Sequence, residues 1–253
     1  MNTRAMVTIY RNEMLRFFRT LTQSFLSPVV STSLYFVVFG AAIGNQMEAM
    51  QGTDYGAFIV PGLVMLSVMT QSISAASFGI YFPKFIRTTY ELLSAPISVF
   101  EIVCGFVSAS VTKALIVGIF ILLLAELIVD YRIEYPLYML AFLLLTSVCF
   151  ALMGFIIGVW AENFEQLQVI PLMLVTPLVI LGGSFYSLSV LPPFWQTVTL
   201  FNPVVYLISG FRWTFFGQAD VPVIFSLIAF GIIGSSCLAV IWWIFRTGWR
   251  LKA

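Results

Sequence analysis

Six long apolar stretches alternate along the chain with short polar or charged ones, over about residues 25–44, 57–82, 102–129, 136–160, 167–186 and 222–245. Each is near or above the roughly 20 residues that a helix needs to cross the hydrocarbon core. The pattern predicts an all-α membrane protein, a single transmembrane domain over residues 1–253 with six transmembrane helices. Residues 1–24 follow another pattern. Arg4, Thr8, Arg11, Asn12, Arg16 and Arg19 fall within one arc of roughly 140° on a helical wheel. Met6, Ile9, Tyr10, Met14, Phe17, Phe18 and Leu21 fill most of the opposite arc, with Leu15 as the exception. Such sidedness predicts an amphipathic helix in the membrane interface, because a flank that only sets topology needs none.

Composition sharpens this. Of 253 residues, 60% are apolar and 9% charged, and the mean hydropathy is +1.02. Such a chain cannot cover a water-facing surface, so its solvent is lipid. The net charge of +1 provides no basic field for nucleic acid. There is no histidine, which removes the commonest metal ligand and general base. Cys104, Cys149 and Cys237 each lie in an apolar stretch without metal spacing. The expectation is therefore no metal site and no catalytic residue.

Orientation follows from the cationic residues of the connections. Arg4, Arg11, Arg16, Arg19, Lys84, Arg87, Arg246, Arg250 and Lys252 would share one side, against Arg132 and Arg212 on the other. This bias predicts that both termini, loop 83–101 and loop 161–166 are cytoplasmic. Segments 45–56, 130–135 and 187–221 would face outward. Loop 161–166 joins the cytoplasmic side although it carries Glu162 and Glu165 and no base.

Several local features bear on function. A P-loop needs Gly-x-x-x-x-Gly-Lys-Ser/Thr, but the chain's three lysines, Lys84, Lys113 and Lys252, never follow glycine. Any ATP-driven motor is therefore another polypeptide. Segment 83–101 is long for a connector. It admits a short helix over Lys84–Leu93 that stops before Pro96, and Ser98 with Glu101 has capping-box spacing. Docking helix and ordinary interfacial loop both fit. Ser67, Thr70, Gln71, Ser74, Ser77 and Tyr81 share a face of the second span, either lining a transport path or bonding helix to helix. Gly40 with Gly44 and Gly154 with Gly158 permit close helix contact. Pro171, Pro177, Gly182 and Gly183 should bend the fifth span. The outward segment 187–221 is too apolar for a free loop and too punctuated for two spans, which fits short helices dipping into the membrane. Trp195, Tyr206 and Trp213 suit the interface. Lys113 lies three turns into the third span and either snorkels or faces the bundle. Arg212 has no partner legible in the sequence.

These residues resemble the permease subunits of ABC-2 type transporters, of the kind of the YadH-type inner-membrane transport permease, with NodJ-like nodulation and DrrB-like drug-export permeases as relatives. The resemblance spans almost the whole chain. It is carried by Phe58-Ile59-Val60-Pro61-Gly62-Leu63, Glu91-Leu92-Leu93-Ser94-Ala95-Pro96, Gly182-Gly183-Ser184-Phe185-Tyr186-Ser187-Leu188, Leu191-Pro192-Pro193-Phe194-Trp195-Gln196 and Asn202 to Arg212. It implies a multi-pass subunit of the bacterial inner membrane, paired as a dimer on two cytoplasmic ATPase subunits that hold ATP and Mg. Lys84, Arg87, Glu91, Leu92, Leu93 and Pro96 would form the coupling helix, with Glu162 and Glu165 as a second contact. The helix bearing Arg4, Arg11, Arg16 and Arg19 would lie at the interface. Gly182, Gly183, Pro192, Pro193, Trp195, Asn202, Pro203 and Arg212 would form outer re-entrant helices closing the path. Ser67, Gln71, Ser74 and Ser77 remain candidates to line it. The expected activity is export of a hydrophobic or amphipathic cargo by a subunit that is not itself an enzyme. An ion- or proton-coupled carrier or channel is the alternative. It would ordinarily need buried acidic or histidine relays, which are scarce here. An intramembrane enzyme lacks histidine and paired intramembrane carboxylates.

Overall fold

The computed structural model describes residues 3–43, 53–86, 88 and 96–250, and these fold as helices joined by short connections. Arg87, Glu91, Leu92 and Leu93 lie outside the described residues, as does Gly44. Helix α1 (Thr3–Arg19) leads into α2 (Thr22–Gly40). There follow α3 (Tyr55–Phe85), α4 (Val99–Ile128) and α5 (Pro136–Trp160). Then come α6 (Phe164–Ser184), α7 (Pro193–Leu200), α8 (Pro203–Phe216) and α9 (Val223–Thr247). Six of these are long and apolar enough to cross a membrane: α2, α3, α4, α5, α6 and α9.

Helix α3 is the axis of the bundle. In its most apolar window 83% of residues are buried, against 17% in α2 and 22% in α9. A helix that is apolar all round belongs inside, and α3 buries Phe58, Ile59, Leu63, Met65, Met69 and Ile73 completely. Its neighbours come close because they present glycine. A Cβ on Gly154 of α5 would lie 2.5 Å from the Ile73 carbonyl oxygen, and one on Gly158 would collide with Ser77 and Ile80. The Gly154–Gly158 pair is thus a contact within one subunit. Where helix interfaces gain little from the hydrophobic effect, such close backbone packing is a main source of cohesion. Gly62 of α3 is pressed in the same way against the Ser184 backbone at the end of α6.

Starts and bends have local causes. The Ser98 hydroxyl accepts from the Glu101 N–H (3.3 Å) while the Glu101 carboxylate accepts from the Ser98 N–H (2.9 Å). This reciprocal cap starts α4. Helix α6 contains wide, π-type turns at Pro171–Val175 and Ile180–Ser184. Prolines 171 and 177 cannot donate backbone hydrogen bonds. Gly183 takes a left-handed φ of 83°, which ends the regular helix.

The connections gather at two ends of the bundle. At one end are the end of α3, the start of α4, the α5–α6 turn and the tail after α9. At the other end the chain after α4 meets α8: the Glu134 and Tyr135 N–H groups donate to the carbonyls of Phe215 (3.3 Å) and Thr214 (2.9 Å). Tyr135 stacks on Trp213 there, with ring centroids 4.7 Å apart. Helices α7 and α8 form a hairpin folded back along α6. At its turn, Asn202 Nδ2 donates to the Leu178 carbonyl (2.6 Å), about 9 Å along α6 from Ser184 at 1.5 Å per residue.

Candidate functional site

The candidate residues separate into a cluster at each end of the bundle. At the end holding the α5–α6 turn, the Lys84 ammonium donates to the carbonyls of Val159 (2.8 Å) and Ala161 (3.0 Å). Those carbonyls close α5, where a cation is favoured by the helix dipole and the unpaired C=O groups. One turn earlier, the Tyr81 hydroxyl donates to the Glu162 carbonyl (2.9 Å). Phe164 wedges against Tyr81 and Phe85, at centroid distances of 5.0 and 4.8 Å. Arg250 of the tail donates to the Trp160 carbonyl (2.6 Å) and pairs with Glu162 (3.2 Å). The root of segment 83–98, the part of 83–101 that precedes the first turn of α4, forms one bonded platform with the α5–α6 turn and the tail. Lys84 is turned into this platform, whereas Glu162, Glu165 and Pro96 are exposed.

At the opposite end, three of the distinctive sequence stretches meet at Arg212: those that hold Phe58, Gly183 with Ser187, and Arg212 itself. Its side chain is 1% exposed. Nη1 donates to Asp220 Oδ2 (2.8 Å) and Nη2 to the Gly183 carbonyl. The guanidinium lies 4.0 Å from the centroid of the Phe58 ring, a cation–π contact in a dry site. The other Asp220 oxygen accepts from the Ser187 hydroxyl (2.7 Å). Tyr55 Oη donates to the Phe185 carbonyl (3.2 Å), adding a second tie from α3 to the end of α6. Pro193 and Pro203 occupy the first turns of α7 and α8, Pro192 precedes α7, and Trp195 is half-exposed. In the neighbouring loop, burial and the charge of Glu126 push the Tyr131 phenol up to about 12, so it remains a neutral donor to the Leu122 carbonyl (2.8 Å).

The polar face of α3 is bonded within the protein. Ser67 meets Thr32 of α2 (2.8 Å), Gln71 Nε2 donates to the Ser24 carbonyl (3.0 Å), and Ser77 donates to the Ser74 carbonyl (3.2 Å). On α1, Arg4, Arg11 and Arg19 are exposed, and Arg16 binds Glu13 (2.7 Å). The inward stripe of α1 is Ile9, Glu13 and Phe17. Part of the face expected to meet lipid thus packs on the bundle instead. Lys113 faces the interior and pairs with Glu13 (2.8 Å).

Sequence reasoning missed Glu13 and Asp220. Glu13 had a signal, because its spacing of four from both Ile9 and Phe17 places an acid inside an apolar stripe. Asp220 had a weaker one, an acid just beyond the helix that carries a buried arginine. No group of three or more metal-ligating side chains occurs among the described residues.

Residues 4–216 match the family model described as ABC-2 type transporter. The chain belongs to the ABC-2 type transporter family. It is 39% identical over 229 residues to the inner membrane transport permease YadH of Escherichia coli strain K12, covering 90% of this chain and 88% of that protein. Nodulation protein J of Rhizobium leguminosarum bv. viciae is 25% identical over 217 residues, 84% of this chain and 82% of the relative. Nodulation protein J of Neorhizobium galegae is 22% identical over 236 residues, 93% and 88% of the two. As an ABC-2 permease, the chain is a multi-pass transport component of the inner membrane, and its family implies a partner ATPase subunit.

Proposed function

We propose that this permease is the membrane half of an ATP-driven exporter whose motor is a separate cytoplasmic ATPase, with ATP and Mg bound on that partner alone. The observation that carries the reading is the bonded platform. Lys84 and Tyr81, at the root of segment 83–98, are fixed to residues 159–162. A push on segment 83–98 is then delivered at once to α3, α5 and α6. The platform end bears most of the cationic residues, which supports placing it and both termini in the cytoplasm. The Arg212 cluster then closes the outer end, with α7 and α8 as a re-entrant hairpin. Ser67, Gln71, Ser74 and Ser77 remain candidates for the path once α2 and α3 separate.

The subunit works as a homodimer in this reading. Helices α2 and α6 share one edge, where Phe39 and Tyr35 meet Phe185 at 5.2 and 6.3 Å. Both keep broad apolar faces exposed, including Val30, Leu34, Leu172 and Met173. These faces suit a partner subunit, membrane lipid and a hydrophobic or amphipathic cargo entering from the inner leaflet.

The test is co-purification of the tagged permease with its ATPase, followed by ATP hydrolysis in vesicles. Arg87→Glu combined with Leu92→Ala and Leu93→Ala should leave the chain inserted while abolishing its effect on hydrolysis. An unchanged effect would refute docking at this segment.

A further inference from the structure

One buried ionisable cluster has no part in the platform or in the outer end. Glu13 and Lys113 are 6% and 4% exposed. The same carboxylate oxygen, Glu13 Oε2, receives Lys113 Nζ (2.8 Å) and Arg16 Nη2 (2.7 Å). Lys113 belongs to α4. Arg16 extends over the Phe82 ring of α3, 5.6 Å from its centroid. The carboxylate also lies against the α3 backbone, since a Cβ on Gly79 would be 3.5 Å from Glu13 Oε2. One turn away along α1, Ile9 packs into the notch left by Gly105 of α4, and Tyr10 Oη reaches Thr112 Oγ1 (3.2 Å).

Helices α3 and α4 are the two helices that segment 83–98 joins in sequence. Glu13 sits where α1 touches both of them. A buried ion pair is a poor way to gain cohesion, because well-packed apolar residues of similar volume hold as well or better. What it supplies is a unique register: Arg16 travels with Glu13 on α1, so only one sliding position of α1 brings the carboxylate to Lys113 of α4, and any other strands the Lys113 charge in an apolar surrounding.

We propose that Glu13 is a positioning residue for coupling: it clamps α1 to both α3 and α4, so that α1 moves as one body with the two helices that flank segment 83–98. This rests on the ATPase reading above. In that reading, force applied to either α1 or the segment reaches the spans through the same unit.

The test uses the full chain with its ATPase in phosphatidylethanolamine–phosphatidylglycerol vesicles. Spin labels are placed at the exposed positions Thr8 and Ser108, with Cys104, Cys149 and Cys237 replaced by alanine. With Glu13 present, the α1–α4 distance should be narrow and the same with or without ATP and vanadate. Glu13→Gln should broaden it and lower hydrolysis per captured ATPase at least about fivefold, the low end of coupling between sites. Glu13→Leu with Lys113→Met removes both charges. It should keep the chain folded and capturing ATPase, yet leave the distance broad and hydrolysis low. A narrow distance with full hydrolysis in either variant would overturn the clamp. So would an ATP-driven change of the distance in the chain that retains Glu13. Failure of that chain to capture any ATPase would instead sink the functional reading, and the distance in Glu13→Gln without ATPase would still decide whether the clamp exists.

Discussion

Arg212 is the residue whose environment most constrains its chemistry. It is buried at the junction of α3, α6, α8 and the loop before α9, and its charge is matched by Asp220. Its Nε has no hydrogen-bond partner among the described residues. The cost of that donor is set against the ion pair, the Gly183 carbonyl and the Phe58 ring. Arg212→Ala would remove the cation paired with the buried Asp220 carboxylate and should cost about 3–5 kcal/mol. Arg212→Lys keeps the charge but loses the planar fork that reaches Asp220 and Gly183 together, so its effect should be intermediate. Thermal unfolding in detergent should rank native above lysine above alanine. An alanine variant that unfolds with the native chain would show that this cluster does not hold its end of the bundle.

At the scale of elements, contact between α3 and α5 depends on the absence of side chains at Gly154 and Gly158. Gly158→Leu must push α5 off the Ser77 backbone and should destabilise by roughly 1–3 kcal/mol, typical of overpacking, with insertion of the helices unaffected. Unfolding of the purified variant measures this, and a native midpoint would contradict the packing. Helices on this scale were legible beforehand because the bilayer enforces length and apolarity together. The six spans, the Ser98–Glu101 cap and the bend in the fifth span all have local signals. The partner of Lys113 was not legible, since it lies 100 residues away on a helix read as lying in the membrane interface. Asp220 escaped for a related reason: pairing across the α8–α9 turn depends on how the hairpin folds back, which no periodicity encodes. The polar face of α3 was visible as a stripe, but only packing shows that Ser67 and Gln71 are bonded to α2.

For the whole molecule, the arrangement is a central α3 with bonded assemblies at its two ends. Near its start, Phe58 and Gly62 meet the Arg212 cluster and the end of α6. Near its finish, Tyr81 and Lys84 meet the α5–α6 turn. One buried helix thus connects the proposed ATPase-facing platform with the proposed outer closure. Such a connection supplies a physical path for coupling only if both ends have two arrangements. In the proposed function a separate ATPase drives this helix through segment 83–98. A photo-reactive residue at Leu93, in the assembled permease–ATPase complex, tests it most directly. A covalent permease–ATPase adduct from Leu93 is expected. Adducts to lipid alone, from a complex in which the ATPase is present and active, would contradict it.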